Sequence, residues 1–332
     1  MKTSNFDYEL PKSFVAQEPV ELRDHSKMMI YNRSTGEPEH KHFYDLVDYL
    51  DENDVLVVNN SKVIPARILF DVDEKEKEIF ILRRIDQDKY KVLVRPGKYF
   101  VKGKRFDVQG EECEITEVLS DGSRIVKTSA KLEKFGEMPL PPYISNKNVE
   151  FEKYQTVYAE KEGSVAAPTA GLHFTEELIL KLIKKGVQIE YVMLHVGRGT
   201  FLPVKSEKIE DHEMHSEYFE LTEETAERLN RHKKLGKRIV AVGTTSVRVL
   251  ESSFDPEIGF VPFIGETDIF IHPGYKWKVV DSLITNFHLP KSTLLMLVSS
   301  FLGSVEKMHE LYKIAKKEKY RFYSFGDCMF LF

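Results

Sequence analysis

The 332-residue sequence predicts a layered α/β domain interrupted by a small inserted antiparallel barrel. Three observations carry that expectation. Strand-like and helix-like segments alternate before about residue 63 and again over the C-terminal half, which implies a sheet covered by helices. From about Pro65 to Thr128 the chain instead reads as short strands with tight turns and no helix. A proline cluster at Pro139, Pro141 and Pro142 then closes that region.

The elements follow in order. "DVLVVNN" is apolar without alternation, as a strand buried on both faces should be. "PARILFDV", "EIFILRRI", "KYKVLVR", "RFDV", "EITEVL" and "RIVKT" are six short strands, with turn signals at Asp86-Gln87-Asp88 and Asp121-Gly122. That density suits a small barrel. "SVAAP" reads as a strand, and a helix runs from Thr175 to Lys185, stopped by Gly186. "VQIEYVMLHV" is the next strand. Thr222 caps a helix to about Lys234, with Glu223 and Glu224 in its first turn and Gly236 beyond its end. "KRIVAVG" is a strand, followed by a helix from about Val247. Ser292 caps "TLLMLVSSFL", and a basic amphipathic helix spans Val305 to Lys319. The expected division is 1–63 with 150–332 as the α/β unit and 64–149 as the barrel.

Composition narrows the function classes. Net charge is −5, which does not announce a nucleic-acid binder. Nine basic side chains between Arg83 and Arg105 nevertheless face only Asp86 and Asp88, a local balance of +7. Arg95, Lys98, Lys102, Lys104 and Arg105 are the candidates there for phosphate contact. Cys113 and Cys328 are too few for a disulfide framework or a thiolate metal site. The first residues lack a signal-peptide core, and "LLMLVSSFL" is about half a bilayer span. A reducing cytoplasm without membrane association is expected.

Four loops put Gly, Thr, Ser or His at strand ends. "SVAAPTAGLHFT" sets His173 after a run of small residues, where backbone could approach a ligand. "HVGRGTF" places Arg198 between two glycines and lacks the dinucleotide fingerprint. "VGTTSVRVLE" offers hydroxyls and a helix start, suited to a carboxylate or phosphate. "TNFHLPKST" brings Asn286, Phe287 and His288 together. "HEMHSE" holds His212 and His215 three apart, but the zinc-hydrolase spacing and a third ligand are missing. No metal is expected.

Those loops, with "HEMHSEYFEL", "TDIFIHPGY", "VVDSLITNFHLPKSTLLMLVSSF" and "YRFYSFGDCM", resemble in order the S-adenosylmethionine:tRNA ribosyltransferase-isomerases of queuosine biosynthesis. "FDYELPKSFVAQEP", "LRDHSKMM", "LVVNNSKVIPARI" and "YQTVYA" extend the resemblance to nearly the whole chain. Lys62, Arg198, Phe325 and Cys328 depart from its pattern. The resemblance implies an αβα sandwich with an inserted six-stranded barrel. It also implies transfer of the ribosyl portion of S-adenosyl-L-methionine to 7-aminomethyl-7-deazaguanine in a tRNA anticodon. Adenine and methionine leave, and the product is epoxyqueuosine. No obligate protein partner is implied.

On that resemblance, Thr169, Ala170 and Gly171 would lie against the donor, beside Gly197, Gly199, Thr200, Gly243 and Asn286. Thr244, Thr245 and Arg248 would take the methionine carboxylate. Phe174, Phe201 and Phe287 would stack on a base. His173, placed at the rim, His195 and His288 compete as acid–base groups. Two rivals stand beside this reading. A methyltransferase using the same donor would release S-adenosylhomocysteine, and a non-catalytic RNA-binding module would consume nothing.

Overall fold

A computed structural model describes residues 1–146, 149–197 and 203–332. β1 (Lys27–Tyr31), β2 (Pro38–His42) and β3 (Asp54–Asn59) open the chain. β4 (Ser61–Val63) leads into β5 (Arg67–Val72), β6 (Lys75–Asp86), β7 (Lys89–Arg95), β8 (Arg105–Val108), β9 (Glu111–Val118) and β10 (Arg124–Lys127). Then come β11 (Lys161–Ser164), α1 (Glu176–Lys184), β12 (Gln188–Leu194), β13 (Glu217–Leu221), α2 (Glu223–Lys234) and β14 (Arg238–Val242). α3 (Gly243–Ser253), the short hairpin of β15 (Phe254–Asp255) and β16 (Gly259–Phe260), and β17 (Phe263–Thr267) follow. β18 (Ser282–Asn286), α4 (Thr293–Leu302), α5 (Val305–Lys317) and β19 (Cys328–Leu331) complete it.

Nine strands form one mixed sheet in the order β17-β13-β12-β3-β14-β18-β19-β1-β2. Its centre, β12, β3, β14 and β18, is parallel. Successive residues of β3 feed opposite cores. Val55 and Val57 join one cluster with Leu229 of α2, Val247 of α3 and Leu311 of α5. Leu56 and Val58 join the other with Leu178 and Leu182 of α1. Burial on both faces explains the unbroken apolar run and makes the unit an αβα sandwich.

The six expected barrel strands form a second, antiparallel sheet in the order β5-β6-β7-β10-β9-β8. Phe70 on one edge strand stacks on Phe106 of the other at 5.9 Å, nearly closing it. Ile79, Ile81, Tyr90, Val92, Ile115 and Val126 fill its interior. A parallel ribbon of β4 and β11 runs beside the entry and return of this segment.

Four helices carry side-chain caps, two of them, at Thr222 and Ser292, as expected. Thr175, Thr222, Ser292 and Ser304 each accept a bond from a backbone N–H in the first turn. The helix after "KRIVAVG" differs from expectation. It begins at Gly243, directly at the end of β14, so Gly-Thr-Thr-Ser is its first turn. Gly243 makes this junction possible, because its φ of +82° is strained for any residue with a Cβ. No side chain caps α3.

Candidate active site

In a parallel sheet, ligands gather beyond the carboxyl ends of the strands. β14 ends at Val242, just before Gly243, and β18 at Asn286, and the loop after β12 passes Val196. Together with Ala167–Ala170 they enclose a cavity of about 60 Å³. A second cavity of about 390 Å³ adjoins it through the shared wall residue Leu294. Only the larger reaches the size usual for a small-molecule site.

The smaller cavity collects unsatisfied polar groups. The first N–H groups of α3 lack a side-chain cap, so they carry the helix's partial positive charge toward the cavity wall. Thr245 Oγ1 and Asn286 Oδ1 are buried and meet no hydrogen-bond partner among the described residues. Buried polar atoms are normally paired, and these two belong to residues that line one cavity, which makes them candidates for a bond to a bound molecule. Among the described residues, no Asp, Glu, Lys or Arg lines this cavity.

His288 lines it too. Thr285 Oγ1 lies 2.8 Å from its Nε2, and burial pulls its pKa down to about 3. The ring is therefore neutral at physiological pH. Its backbone is fixed from behind, by Tyr312 OH at 2.9 Å from its N–H and by the hydroxyl of Tyr8 on its carbonyl.

Of the other expected site residues, Thr169, Ala170, Gly243, Thr244, Thr245, Asn286 and Phe287 also line the smaller cavity. Several expectations need correction. His173 is not at a rim; it is 4 % exposed and packs against Phe43 with ring centroids 5.1 Å apart. Its Nδ1 lies 2.7 Å from Ser26 Oγ and its Nε2 3.3 Å from Asn286 Nδ2. Burial, reinforced by the Arg321 charge, lowers its pKa to about 3. Gly171 is small for an internal reason, since a Cβ there would fall 2.0 Å from the Tyr158 hydroxyl. The rings of Phe174 and Phe287 are fully buried, against Phe43 at 4.8 Å and Phe322 at 5.0 Å, so both serve as core residues. Phe325 is likewise buried, 5.7 Å from Tyr154.

Arg248 is also displaced from its expected role. It lies on the wall of the larger cavity, away from Thr244 and Thr245. Its Nη1 pairs with Glu217 Oε2, and Nη2 donates to the Thr267 carbonyl at 3.1 Å. Glu217 Oε1 in turn accepts from Gly197 N–H at 2.8 Å. The guanidinium thus already has its carboxylate. His195 lines neither cavity. It packs on Gly163, where a Cβ would fall 2.3 Å from its ring, and burial lowers its pKa to about 4. Gly199, Thr200 and Phe201 lie outside the described residues.

The larger cavity was missed in the sequence. Ile269 and Ile271 come from "TDIFIHPGY", Leu294 and Leu297 from α4, and His212 and His215 from "HEMHSE". Both motifs were visible, but no periodicity says that segments so far apart share a wall. Among the described residues, no group of three or more His, Cys, Asp or Glu is placed to hold a metal ion. Nor is any helix there long and apolar enough to cross a membrane.

On the barrel, Arg95, Lys98 and Lys102 are exposed. Lys104 sits over the Tyr99 ring at 4.8 Å. These four make no ion pair among the described residues, whereas Arg105 lies 3.4 Å from both Glu112 and Glu114. Lys91 pairs with Asp121 at 2.9 Å and Arg83 with Glu266 at 3.0 Å. The +7 segment is therefore partly neutralised, and its free charge concentrates in 95–104.

This arrangement is a layered α/β protein with two adjoining cavities beyond its central parallel strands, a candidate small-molecule site, and a basic barrel segment alongside. A family profile described as "Queuosine biosynthesis protein" matches residues 3–331. A protein of Acetivibrio thermocellus named S-adenosylmethionine:tRNA ribosyltransferase-isomerase is 51 % identical over 345 residues, covering 100 % of both chains. The crystal structure of S-adenosylmethionine tRNA ribosyltransferase from Thermotoga maritima is similar at a TM-score of 0.58 and 39 % identity. That match covers 99 % of this chain and 100 % of the other. The chain belongs to the queuosine biosynthesis protein family and is an enzyme of its transferase–isomerase class.

Proposed function

We propose that the chain transfers and isomerises the ribosyl moiety of S-adenosylmethionine onto 7-aminomethyl-7-deazaguanine in a tRNA anticodon. Epoxyqueuosine forms, and adenine and methionine are released. The names of the relatives support the donor and the tRNA acceptor. The observation that carries the reading is the uncapped start of α3 facing a cavity with orphaned Thr245 Oγ1 and Asn286 Oδ1. An amino-acid carboxylate fits that helix terminus. The apolar wall of the larger cavity, with Ile269, Ile271 and Leu297, suits a flat heterocycle.

The chemistry asks little of the protein beyond positioning and proton transfer. The sulfonium acidifies the ribose C5′ protons, so a base can start the sequence by removing one. Adenine then departs as the ribose ring opens. The amine of the modified base attacks the resulting vinyl sulfonium, and epoxide closure expels methionine. His288 is the group we assign to proton transfer. Its neutral ring does not repel the sulfonium and keeps a nitrogen lone pair for the proton, although burial makes protonation costly in the free protein. The barrel residues Arg95, Lys98, Lys102 and Lys104 are assigned to the tRNA backbone. Buried, unpaired Cys113 and Cys328 suit a reducing cytoplasm.

Product analysis tests the proposal. With an anticodon stem-loop bearing the aminomethyl-deazaguanine, adenine and methionine should appear in equal amounts. S-adenosylhomocysteine would instead indicate methyl transfer, and an unconsumed donor would indicate a binding module.

A further inference from the structure

Asn286 ends β18, is 2 % exposed, and lines the smaller cavity. Its amide can be oriented from its partners. The Tyr323 carbonyl oxygen, 3.0 Å away, only accepts, so the atom facing it is the Nδ2 nitrogen. The other Nδ2 hydrogen points at His173 Nε2, 3.3 Å away, which must therefore be an acceptor. The imidazole proton then sits on Nδ1 and is donated to Ser26 Oγ at 2.7 Å. Both amide donors are used inside the protein. Oδ1 is left buried without a partner among the described residues.

The same cavity holds the uncapped start of α3 and the orphaned Thr245 Oγ1. Its volume of about 60 Å³ is too small for a purine and suits the few heavy atoms of an amino-acid head group. A zwitterion needs donors for its carboxylate and acceptors for its ammonium. The helix terminus supplies the first. With no Asp or Glu in the wall among the described residues, the unpartnered Asn286 Oδ1 is the acceptor held ready for the second.

We propose that Asn286 Oδ1 accepts a hydrogen bond from the α-ammonium group of S-adenosylmethionine, and that His173 is a positioning residue that aims the amide. This rests on the ribosyl-donor reading above. His173 acts through Asn286 and takes no proton from the substrate. A single protonation state, Nδ1–H with Nε2 accepting, performs that task, and burial beside Phe43 preserves it.

The test is donor binding without RNA, by calorimetry, for S-adenosylmethionine and for its analogue lacking the α-amino group. The wild-type protein should bind the analogue about tenfold or more weakly, the value of one hydrogen bond to a charged group. Asn286→Ala should weaken S-adenosylmethionine binding similarly and leave analogue binding unchanged. His173→Leu should move toward the Asn286→Ala behaviour. His173→Gln, whose carbonyl oxygen can accept from Nδ2, should recover affinity and keep the wild-type shape of the pH–rate profile. Equal wild-type affinity for the two ligands overturns the proposal without any variant, should Asn286→Ala fail to fold. So does a penalty from Asn286→Ala that persists undiminished with the analogue, as it would if the amide bound the RNA amine or another part of the donor. A wild-type protein that binds neither ligand contradicts the donor reading itself.

Discussion

Thr245→Val removes one hydroxyl and keeps the shape of the side chain. Thr245 is 9 % exposed in the first turn of α3, and its Oγ1 has no partner among the described residues. Because the free protein already leaves that hydroxyl unsatisfied, valine forfeits no bond needed for folding. An orphaned buried polar atom costs about 1–3 kcal/mol, so stability should hold or rise. For a chain of this size, a gain of about 1 kcal/mol corresponds to about 1–2 degrees in Tm. Binding should move the other way. A hydrogen bond to the carboxylate of the donor is worth about 1.5–3 kcal/mol, which is roughly ten- to hundredfold in affinity. Differential scanning fluorimetry and calorimetric titration with S-adenosylmethionine measure the two effects on one preparation. A folded variant with unchanged affinity would refute placing the head group at α3.

Further outcomes follow from the same geometry. Arg248→Ala should destabilise the fold by about 3–5 kcal/mol in chemical denaturation, because it breaks the buried ion pair with Glu217, and the pair replacement Arg248→Met with Glu217→Gln should recover most of that. Unchanged stability with lost donor affinity would return Arg248 to the substrate. His173 and His288 are buried with pKa values drawn down to about 3, below the unfolded value near 6.5, so the unfolded chain binds more protons. Their contribution is fully present above about pH 6.5 and is lost as pH falls toward 3. Tm should drop over that window, and His173→Gln and His288→Gln should each flatten the slope; slopes identical to wild type would contradict this. Reversing Lys98, Lys102 and Lys104 to Glu should weaken tRNA binding and reduce its salt dependence while leaving donor affinity alone. Survival of both RNA affinity and salt slope would move the RNA path off the barrel.

The layers were legible because burial writes itself into local pattern. β3 is apolar at every one of Val55 to Val58 since both faces are covered, and helix starts were legible at Thr175 and from the caps Thr222 and Ser292. The start of α3 was misplaced by about four residues for a physical reason. Thr and Ser after Gly look like a turn and a cap, yet Gly243 in the left-handed region lets the helix begin without one. The site was legible in part. Its loops stand at strand ends, where α/β sheets bind ligands. Which way a side chain turns was not. His173 is claimed by Ser26, 147 positions away, and Arg248 by Glu217, 31 positions away. Long-range partners of that kind leave no periodic trace. The larger cavity stayed hidden for the same reason, its walls coming from 203–217, 269–271 and the first turns of α4.

The central claim is that ribose moves and the methyl group does not. The direct measurement uses S-adenosylmethionine carrying ¹⁴C in the ribose and ³H in the S-methyl group, with the stem-loop bearing the aminomethyl-deazaguanine. The account predicts RNA that gains ¹⁴C and no ³H, with all ³H recovered in methionine. RNA that gains ³H without ¹⁴C would contradict it.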